Sequence, residues 1–205
     1  MPGPIVGREG AGAVSAGALA IFGLAAAALV AASAFEVLPL WPTAIAAGLV
    51  SLWIAGQDLA DYTIPDAAVI ALAALGAGVR LTEGALVGEP LAATSLAIAI
   101  DASVCGGLLL GLREVYYRRR GFDGLGFGDV KLAAAGGVLA ETSGFAWALL
   151  GASVAGIAVA LACRHLPPRG VRPEMADRLP FGALLAPALW ASWMAGRSTG
   201  SALGW

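Results

Sequence analysis

Apolar segments recur along the whole chain, and most have the length of about 20 residues that an α-helix needs to cross a lipid bilayer. On this basis we predict membrane-spanning helices at residues 13–34, 39–56, 65–80, 91–112, 130–140, 144–163 and 180–196. Only 13% of the residues are charged, whereas a soluble domain usually has about 25%. The sequence therefore predicts an all-α, polytopic transmembrane helix bundle with about seven spans.

Composition indicates one membrane-embedded domain over residues 1–205, with no separate soluble domain. The 29 glycines and the abundant alanine suit closely packed helices, because small residues let helix backbones approach each other in lipid. The net charge of −2 gives no indication of nucleic-acid binding. No CxxC pair occurs, so we expect no zinc or redox motif, no metal and no cofactor. The sequence does not indicate the oligomeric state.

Basic residues concentrate in one set of alternating loops between the predicted spans. That set holds ten of the 12 lysines and arginines: Arg8, Arg113, Arg118, Arg119, Arg120, Lys131, Arg164, Arg169, Arg172 and Arg178. The opposite set holds Arg80 and Arg197. Because lysine and arginine are enriched in cytoplasmic loops, we expect a multi-pass protein of the inner (cytoplasmic) membrane with its N-terminus inside. The same rule favours a crossing by the short segment 130–140, since otherwise the basic loop 164–178 would lie outside.

The first acidic motif runs from Asp58 to Asp66 and follows the second predicted span. We expect Thr63 to cap the next helix and Asp66 to complete a capping pair, which gives Asp66 a structural role. Asp58 has no such explanation, because the C-terminal end of a helix disfavours a negative charge. Asp58 is therefore a functional candidate that needs an unusual partner. Asp61, three residues later, is the second candidate for the same role.

The second acidic motif is a glycine-rich turn in which Gly126 and Gly128 precede Asp129. Glycine permits backbone conformations closed to other residues, so another chain can approach the main chain here. Asp129 then opens an apolar helix at membrane depth, where an ionisable side chain is a functional candidate. Lys131 either favours the ionised form of Asp129 or, in the interpretation we prefer, extends towards the lipid headgroups.

The predicted topology places both motifs on the cytoplasmic face, so Asp58 and Asp129 can meet in the folded bundle. Two neighbouring carboxylates can share one proton, because ionising both at once is costly. One then acts as a base on water while the other donates a proton to a carbonyl oxygen. That pairing is sufficient for hydrolysis of a peptide bond. Asp101 lies inside the span 91–112, where it forms a hydrogen bond within the bundle, marks an offset span or lines an ion path.

Three stretches make this chain resemble the prepilin peptidases, also called type IV leader peptidases, and the archaeal preflagellin peptidases. Residues 58–66 resemble the family's first aspartate and its following Ile-Pro-Asp. Residues 126–132, Gly-Phe-Gly-Asp-Val-Lys-Leu, resemble its GxGD signature, and residues 179–182 resemble the Pro-Phe-Gly that opens the last helix. The resemblance spans residues 40–196 and implies an aspartic endopeptidase built from about six to eight helices.

The resemblance also implies a role for each matching residue. The catalytic aspartates would be Asp58 and Asp129, and the loop that presents the second aspartate would comprise Gly126, Phe127, Gly128 and Lys131. The substrates would be pilin-like precursors, cleaved at the cytoplasmic face between a short basic leader and an apolar helix. Many bacterial members carry a CxxC-containing insertion linked to methylation of the new N-terminus. This chain has no such insertion, so the resemblance implies the peptidase activity and not the methyltransferase activity.

Two other classes of function fit parts of the pattern. A small transporter would use Asp58, Asp101 and Asp129 as an ion or proton relay, and it would show internal repeats with broken helices near the midplane. A non-catalytic assembly factor of a pilus or secretion apparatus would tolerate neutral replacement of either aspartate. We find no convincing repeat between the halves of the sequence.

Overall fold

A computed structural model describes residues 41–121, 125–165 and 180–203. Five helices account for nearly all of these residues: α1 (Trp41–Asp61), α2 (Asp66–Leu86), α3 (Leu91–Arg120), α4 (Phe127–His165) and α5 (Phe181–Leu203). No strand occurs in the described ranges. The predicted all-α class is therefore confirmed.

Four of the helices are long and apolar enough to cross a membrane, namely α1, α2, α3 and the part of α4 from Phe127 to Ala162. The first three coincide with the predicted spans 39–56, 65–80 and 91–112, although each helix extends further than predicted. The predicted span 180–196 lies in α5, and the predicted span 13–34 lies outside the described residues. The chain is thus a multi-span membrane protein, and the number of seven spans stays a prediction.

Helix α3 contains 30 residues, which corresponds to about 45 Å and exceeds the bilayer core of about 30 Å. The arginine-rich segment after residue 112, predicted as a loop, is helical up to Arg120. An ion pair between Glu114 and Arg118, one turn apart at 2.7 Å, and the favourable effect of cations at a helix C-terminus support this extension. The helix ends at Gly121, whose φ of 75° suits glycine.

Helix α4 is interrupted at Glu141, which has φ 58° and ψ 173°. This residue separates a segment at 127–140 from a segment at 142–165, and it lies in the gap between two predicted spans. The two predicted spans 130–140 and 144–163 therefore correspond to the two parts of one interrupted helix.

Helix α4 lies at the centre of the bundle and packs against α2, α3 and α5, while α1 packs against α2 and α5. Large buried side chains from α4 and α5 form the core between them: Leu132, Leu139, Leu185 and Leu189. The C-terminal end of α1 and the N-terminal ends of α2, α4 and α5 meet at what we term the Asp58 end of the bundle. The opposite, Arg80 end contains the second halves of α2 and α5, the first half of α3 and the interruption in α4.

Candidate active site

Asp58 lies in the last turn of α1 and is 5% exposed. Its Oδ2 accepts a hydrogen bond of 2.8 Å from the Ala183 amide, and the Gly182 amide also donates to this carboxylate. Both amides belong to the first turn of α5, where N–H groups have no partner within the helix and favour a negative charge. The partner that Asp58 lacks in its own helix is therefore the N-terminus of α5.

Asp129 lies in the first turn of α4 and is 8% exposed. The Gly126 amide donates a hydrogen bond to its carboxylate. The Oδ1 atom is buried and has no hydrogen-bond partner among the described residues. Since a buried oxygen of this kind is costly to leave unpaired, Oδ1 is available to a proton, a water molecule or a substrate group.

The structure brings the two acidic motifs together. Asp58 and Asp129 lie close enough for an electrostatic interaction between their carboxylates, although the residues come from different helices far apart in sequence. Within residues 41–121, 125–165 and 180–203, no arginine or lysine forms an ion pair with either carboxylate. Two buried acids without such a partner therefore lie near each other at the Asp58 end.

Ile64, in the loop between α1 and α2, fills the space between two glycines of this end. A Cβ atom placed on Gly128 would lie 3.1 Å from the Ile64 Cβ, and one placed on Gly182 would lie 2.7 Å from its Cδ1. Gly128 directly precedes Asp129, and Gly182 carries an amide that binds Asp58. The Ile64 side chain therefore contacts both main-chain segments that hold the carboxylates.

The other acids of the first motif point elsewhere. Asp61 is exposed at the end of α1, whereas Asp58, one turn earlier, is buried. The predicted capping role of Thr63 and Asp66 is wrong, because Pro65 is the N-cap of α2 and no side chain caps this helix. Asp66 instead accepts a hydrogen bond of 2.7 Å from Lys131 Nζ. A local capping rule failed here because a charged side chain from α4 offered Asp66 a stronger partner.

Lys131 and Phe127 lie on the outer side of the predicted active-site loop. The Lys131 side chain is 40% exposed and binds Asp66, so its observed carboxylate partner is not Asp129. Its Nζ also lies 5.4 Å from the centre of the Phe127 ring, and the Arg113 guanidinium lies 5.9 Å from the same ring. Arg113 Nε donates to the Leu125 carbonyl oxygen at 3.2 Å. These contacts attach α3 and α2 to the segment that presents Asp129.

Asp101 lies at the Arg80 end, away from the two buried acids. Its Oδ2 is 2.7 Å from Arg80 Nη2, and its Oδ1 accepts a hydrogen bond of 2.7 Å from the Thr142 hydroxyl. Of the three roles considered for Asp101, hydrogen bonding within the bundle is the one observed. Arg80, predicted in a loop, is an inward-facing residue of α2 with an 11% exposed side chain.

Sequence reasoning missed two features of the site, the α5 N-terminus that binds Asp58 and the Ile64 contact. A signal for the first was present in Pro180, because proline favours the start of a helix and exposes the next amides as donors. Ile64 lies in the Ile-Pro-Asp stretch that carries the family resemblance, but no local pattern indicated its contact with the two glycines. Among the described residues, no group of three or more His, Cys, Asp or Glu side chains is arranged to hold a metal ion.

Comparison with known proteins yields one consistent result. A model of the type IV leader peptidase family matches residues 44–161, more than half of the chain. Proteins from Burkholderia pseudomallei strains 1026b and K96243, each named prepilin leader peptidase/N-methyltransferase, are 33% identical to the chain over 176 residues. The alignment covers 85% of this chain and 49% of each relative, so the chain spans about half the length of the curated relatives it matches. No solved structure matches the chain.

Proposed function

Because the chain belongs to the type IV leader peptidase family, we propose that it is an aspartic endopeptidase that removes the leader from pilin-like precursors. The observation that carries this proposal is the convergence of Asp58 and Asp129, buried and without a cationic partner in the described ranges, at the Asp58 end. Buried acids in a membrane protein are costly and are normally paired unless they have a function.

In the proposed mechanism, Asp58 is the base and Asp129 is the acid. The amides of Gly182 and Ala183 stabilise the negative charge on Asp58, whereas the unpartnered Oδ1 of Asp129 has room for a proton. Asp58 takes a proton from a water molecule, whose oxygen attacks the scissile carbonyl carbon. Asp129 gives its proton to the carbonyl oxygen, which forms a neutral gem-diol. When the C–N bond breaks, a proton from Asp58 passes to the leaving amine and Asp129 recovers its proton from the diol.

The orientation proposed from loop charges places the Asp58 end at the cytoplasmic face. The distribution of paired and exposed cations supports it. Arg80 and Arg197, the two basic residues expected on the opposite face, form ion pairs with Asp101 and Glu83. The arginines that end α3, residues 118–120, are exposed beside the Asp58 end, where they can contact anionic lipid headgroups.

A cleavage assay tests the proposed function. The protein would be co-expressed with an epitope-tagged pilin-like precursor, and loss of the leader would be followed as a mobility shift on a gel. We expect Asp58→Asn and Asp129→Asn each to lower the cleavage rate by at least about 100-fold, because each removes a proton-transfer group. Asp61→Asn is the matched control, since Asp61 is an exposed aspartate of the same motif, and it should cleave at close to the wild-type rate.

The outcomes separate the candidate functions. If Asp61→Asn abolished cleavage and Asp58→Asn did not, the mechanism would remain and the first aspartate would change. Cleavage that survived all three substitutions would exclude the aspartic mechanism. If the wild type cleaved none of several precursors, transport or a non-catalytic assembly role would become the better proposal.

We also propose that the cleavage product leaves without N-methylation, although the relatives are named as combined peptidases and N-methyltransferases. The reason is the lack of a CxxC-containing insertion between the predicted spans of this chain. Mass spectrometry of the product's N-terminus checks the proposal, with S-adenosylmethionine added as methyl donor. A methylated N-terminus formed by the purified protein would contradict it.

A further inference from the structure

We propose that Ile64 is a positioning residue that sets the spacing between Asp58 and Asp129, an inference that rests on the function proposed above. Ile64 has no ionisable group and takes no part in proton transfer. It acts through its two glycine neighbours. Gly128 is bonded directly to Asp129, and Gly182 provides an amide that holds the Asp58 carboxylate.

Ile64 contacts two glycines, which have no side chains. Main-chain atoms therefore pack directly against the Ile64 side chain. A Cβ on Gly128 would lie within 3.3 Å of three Ile64 atoms, Cβ, Cγ1 and Cδ1. A Cβ on Gly182 would lie 3.2 Å from Ile64 Cγ1 and 2.7 Å from Cδ1. Protein interiors are close-packed and transmit displacements. A change in the volume of Ile64 is therefore passed to both segments that carry the carboxylates, with no intervening side chain to absorb it.

Removing atoms from Ile64 is the first test. Ile64→Ala lets the segments at Gly128 and Gly182 approach each other, and a displacement of about 1 Å at reacting groups can lower a rate by about 100-fold. We expect kcat for a precursor to fall by about 10- to 100-fold, with a smaller change in KM because the substitution displaces the reacting carboxylates. Ile64→Val lacks only the Cδ1 atom and should retain most of kcat.

The second test adds a methyl group at the contact between Gly182 and Ile64. Gly182→Ala would place a methyl group 2.7 Å from Ile64 Cδ1 and 3.0 Å from Asp58 Oδ2, so kcat should fall. Adding Ile64→Val to this variant removes Cδ1 and with it the closest contact. We expect the double variant to have a higher kcat than Gly182→Ala alone. The recovery should be partial, because the contact with Asp58 remains.

A matched control separates positioning from general loss of stability. Leu139→Ala truncates a side chain that is 1% exposed in α4, towards the Arg80 end, and should destabilise the fold without changing kcat per folded molecule. The folded fraction of each variant would be measured by thermal unfolding in detergent, and kcat would be expressed per folded enzyme. The inference is supported if Ile64→Ala loses kcat, Leu139→Ala does not and the double variant is non-additive.

Two results would overturn the inference. One is an Ile64→Ala variant with wild-type kcat per folded molecule in an assay where the wild type cleaves and Asp129→Asn does not. The other is a strictly additive double variant, which would mean that Ile64 and Gly182 act independently. Absence of cleavage by the wild type would instead reject the proposed peptidase function, and the inference about Ile64 with it.

Discussion

The two ends of the helix bundle differ in the partners of their inward-facing acids. At the Arg80 end, Asp101 pairs with Arg80 at 2.7 Å and also accepts a hydrogen bond from Thr142. At the Asp58 end, Asp58 and Asp129 accept hydrogen bonds from main-chain amides. Neither has an arginine or lysine partner in the described part of the chain. An acid with a matched cation is explained by its contribution to folding. Two neighbouring acids that lack one call for another explanation, and the proton transfer proposed above provides one.

The same contrast extends to the other ionic contacts of the Arg80 end. Arg197 and Glu83 form a two-point ion pair between α5 and α2, and the Arg197 guanidinium lies 4.9 Å from the centre of the Trp193 ring. Together with the Arg80 contacts, this pair links α2, α3, α4 and α5. Ionic contacts at the Arg80 end thus link four of the five helices, whereas the Asp58 end contains two buried carboxylates that have no arginine or lysine partner in the described residues.

The sharpest test of this contrast replaces one acid at each end by the same amide. Asp101→Asn removes the nearer of the two carboxylates that pair with the largely buried Arg80 and leaves only Glu141, at 3.9 Å. We expect this change to lower the free energy of unfolding by about 3 kcal/mol. Its cleavage rate per folded molecule should stay close to that of the wild type. Asp58→Asn should show the reverse, with lost cleavage and a smaller change in stability. Denaturant unfolding in detergent and the precursor assay provide the two readouts.

A different result would change the assignment of Asp101. Loss of cleavage in Asp101→Asn without loss of stability would place this residue in the reaction or in a proton path that serves it. The double variant Arg80→Met with Asp101→Leu is the control. Because it removes both charges, it should be more stable than either single replacement.

Close packing also differs between the ends, and this difference predicts the next largest effect. At the Arg80 end, a Cβ on Gly137 would meet the main-chain carbonyl group of Asp101, with its carbon at 2.8 Å. Backbone of this kind cannot move aside as a side chain can, so Gly137→Ala should destabilise the fold by about 1–3 kcal/mol. Gly151→Ala is the matched control in the same helix, since no atom lies within 4 Å of its Cβ position.

Thermal unfolding of the two alanine variants in detergent checks this prediction. Gly151→Ala should be neutral or stabilise the fold by up to about 1 kcal/mol, because alanine favours the helix over glycine. Equal stability of the two variants would mean that α3 and α4 are not in close contact at Gly137. Gly128→Ala and Gly182→Ala at the Asp58 end meet the Ile64 side chain instead, so their main effect should be on cleavage.

Local sequence patterns predicted the elements of the fold better than the contacts between them. The apolar lengths located α1, α2 and α3, since they reflect the thickness of the bilayer rather than any tertiary contact. The amide that binds Asp58 comes from Ala183, 125 residues later, and no local pattern contains such a pairing. Sequence reasoning did identify Asp58 as an acid in need of a partner, because it recognised the charge as unfavourable in its own helix. It could not identify which helix provides that partner.

Errors in the predicted boundaries have the same origin. The sequence places Arg80 at the boundary between the predicted span 65–80 and the following loop, whereas the pairing with Asp101 lets α2 continue to Leu86. Thr63 was assigned as a helix cap on local grounds, and the contact between Asp66 and Lys131 replaced that role. In each case an ion pair between two helices changed the end of α2 from the one that the local pattern predicts. Such pairs are the information that a single sequence does not contain.

The smallest predicted effect comes from comparing two ion pairs of equal length. Asp66 and Lys131 at the Asp58 end are 2.7 Å apart, as are Asp101 and Arg80. The side chains of the first pair are 66% and 40% exposed, whereas those of the second are 17% and 11% exposed.

Exposed pairs are screened by solvent and salt. Asp66→Asn should therefore lower the free energy of unfolding by less than about 1 kcal/mol, and this loss should decrease as salt is added. The cost of Asp101→Asn should change less with salt, because the side chains of its pair are much less exposed. Unfolding both variants at low and high ionic strength separates the contributions of the two ion pairs to stability. An Asp66→Asn effect as large as that of Asp101→Asn would show that burial does not distinguish the two ends.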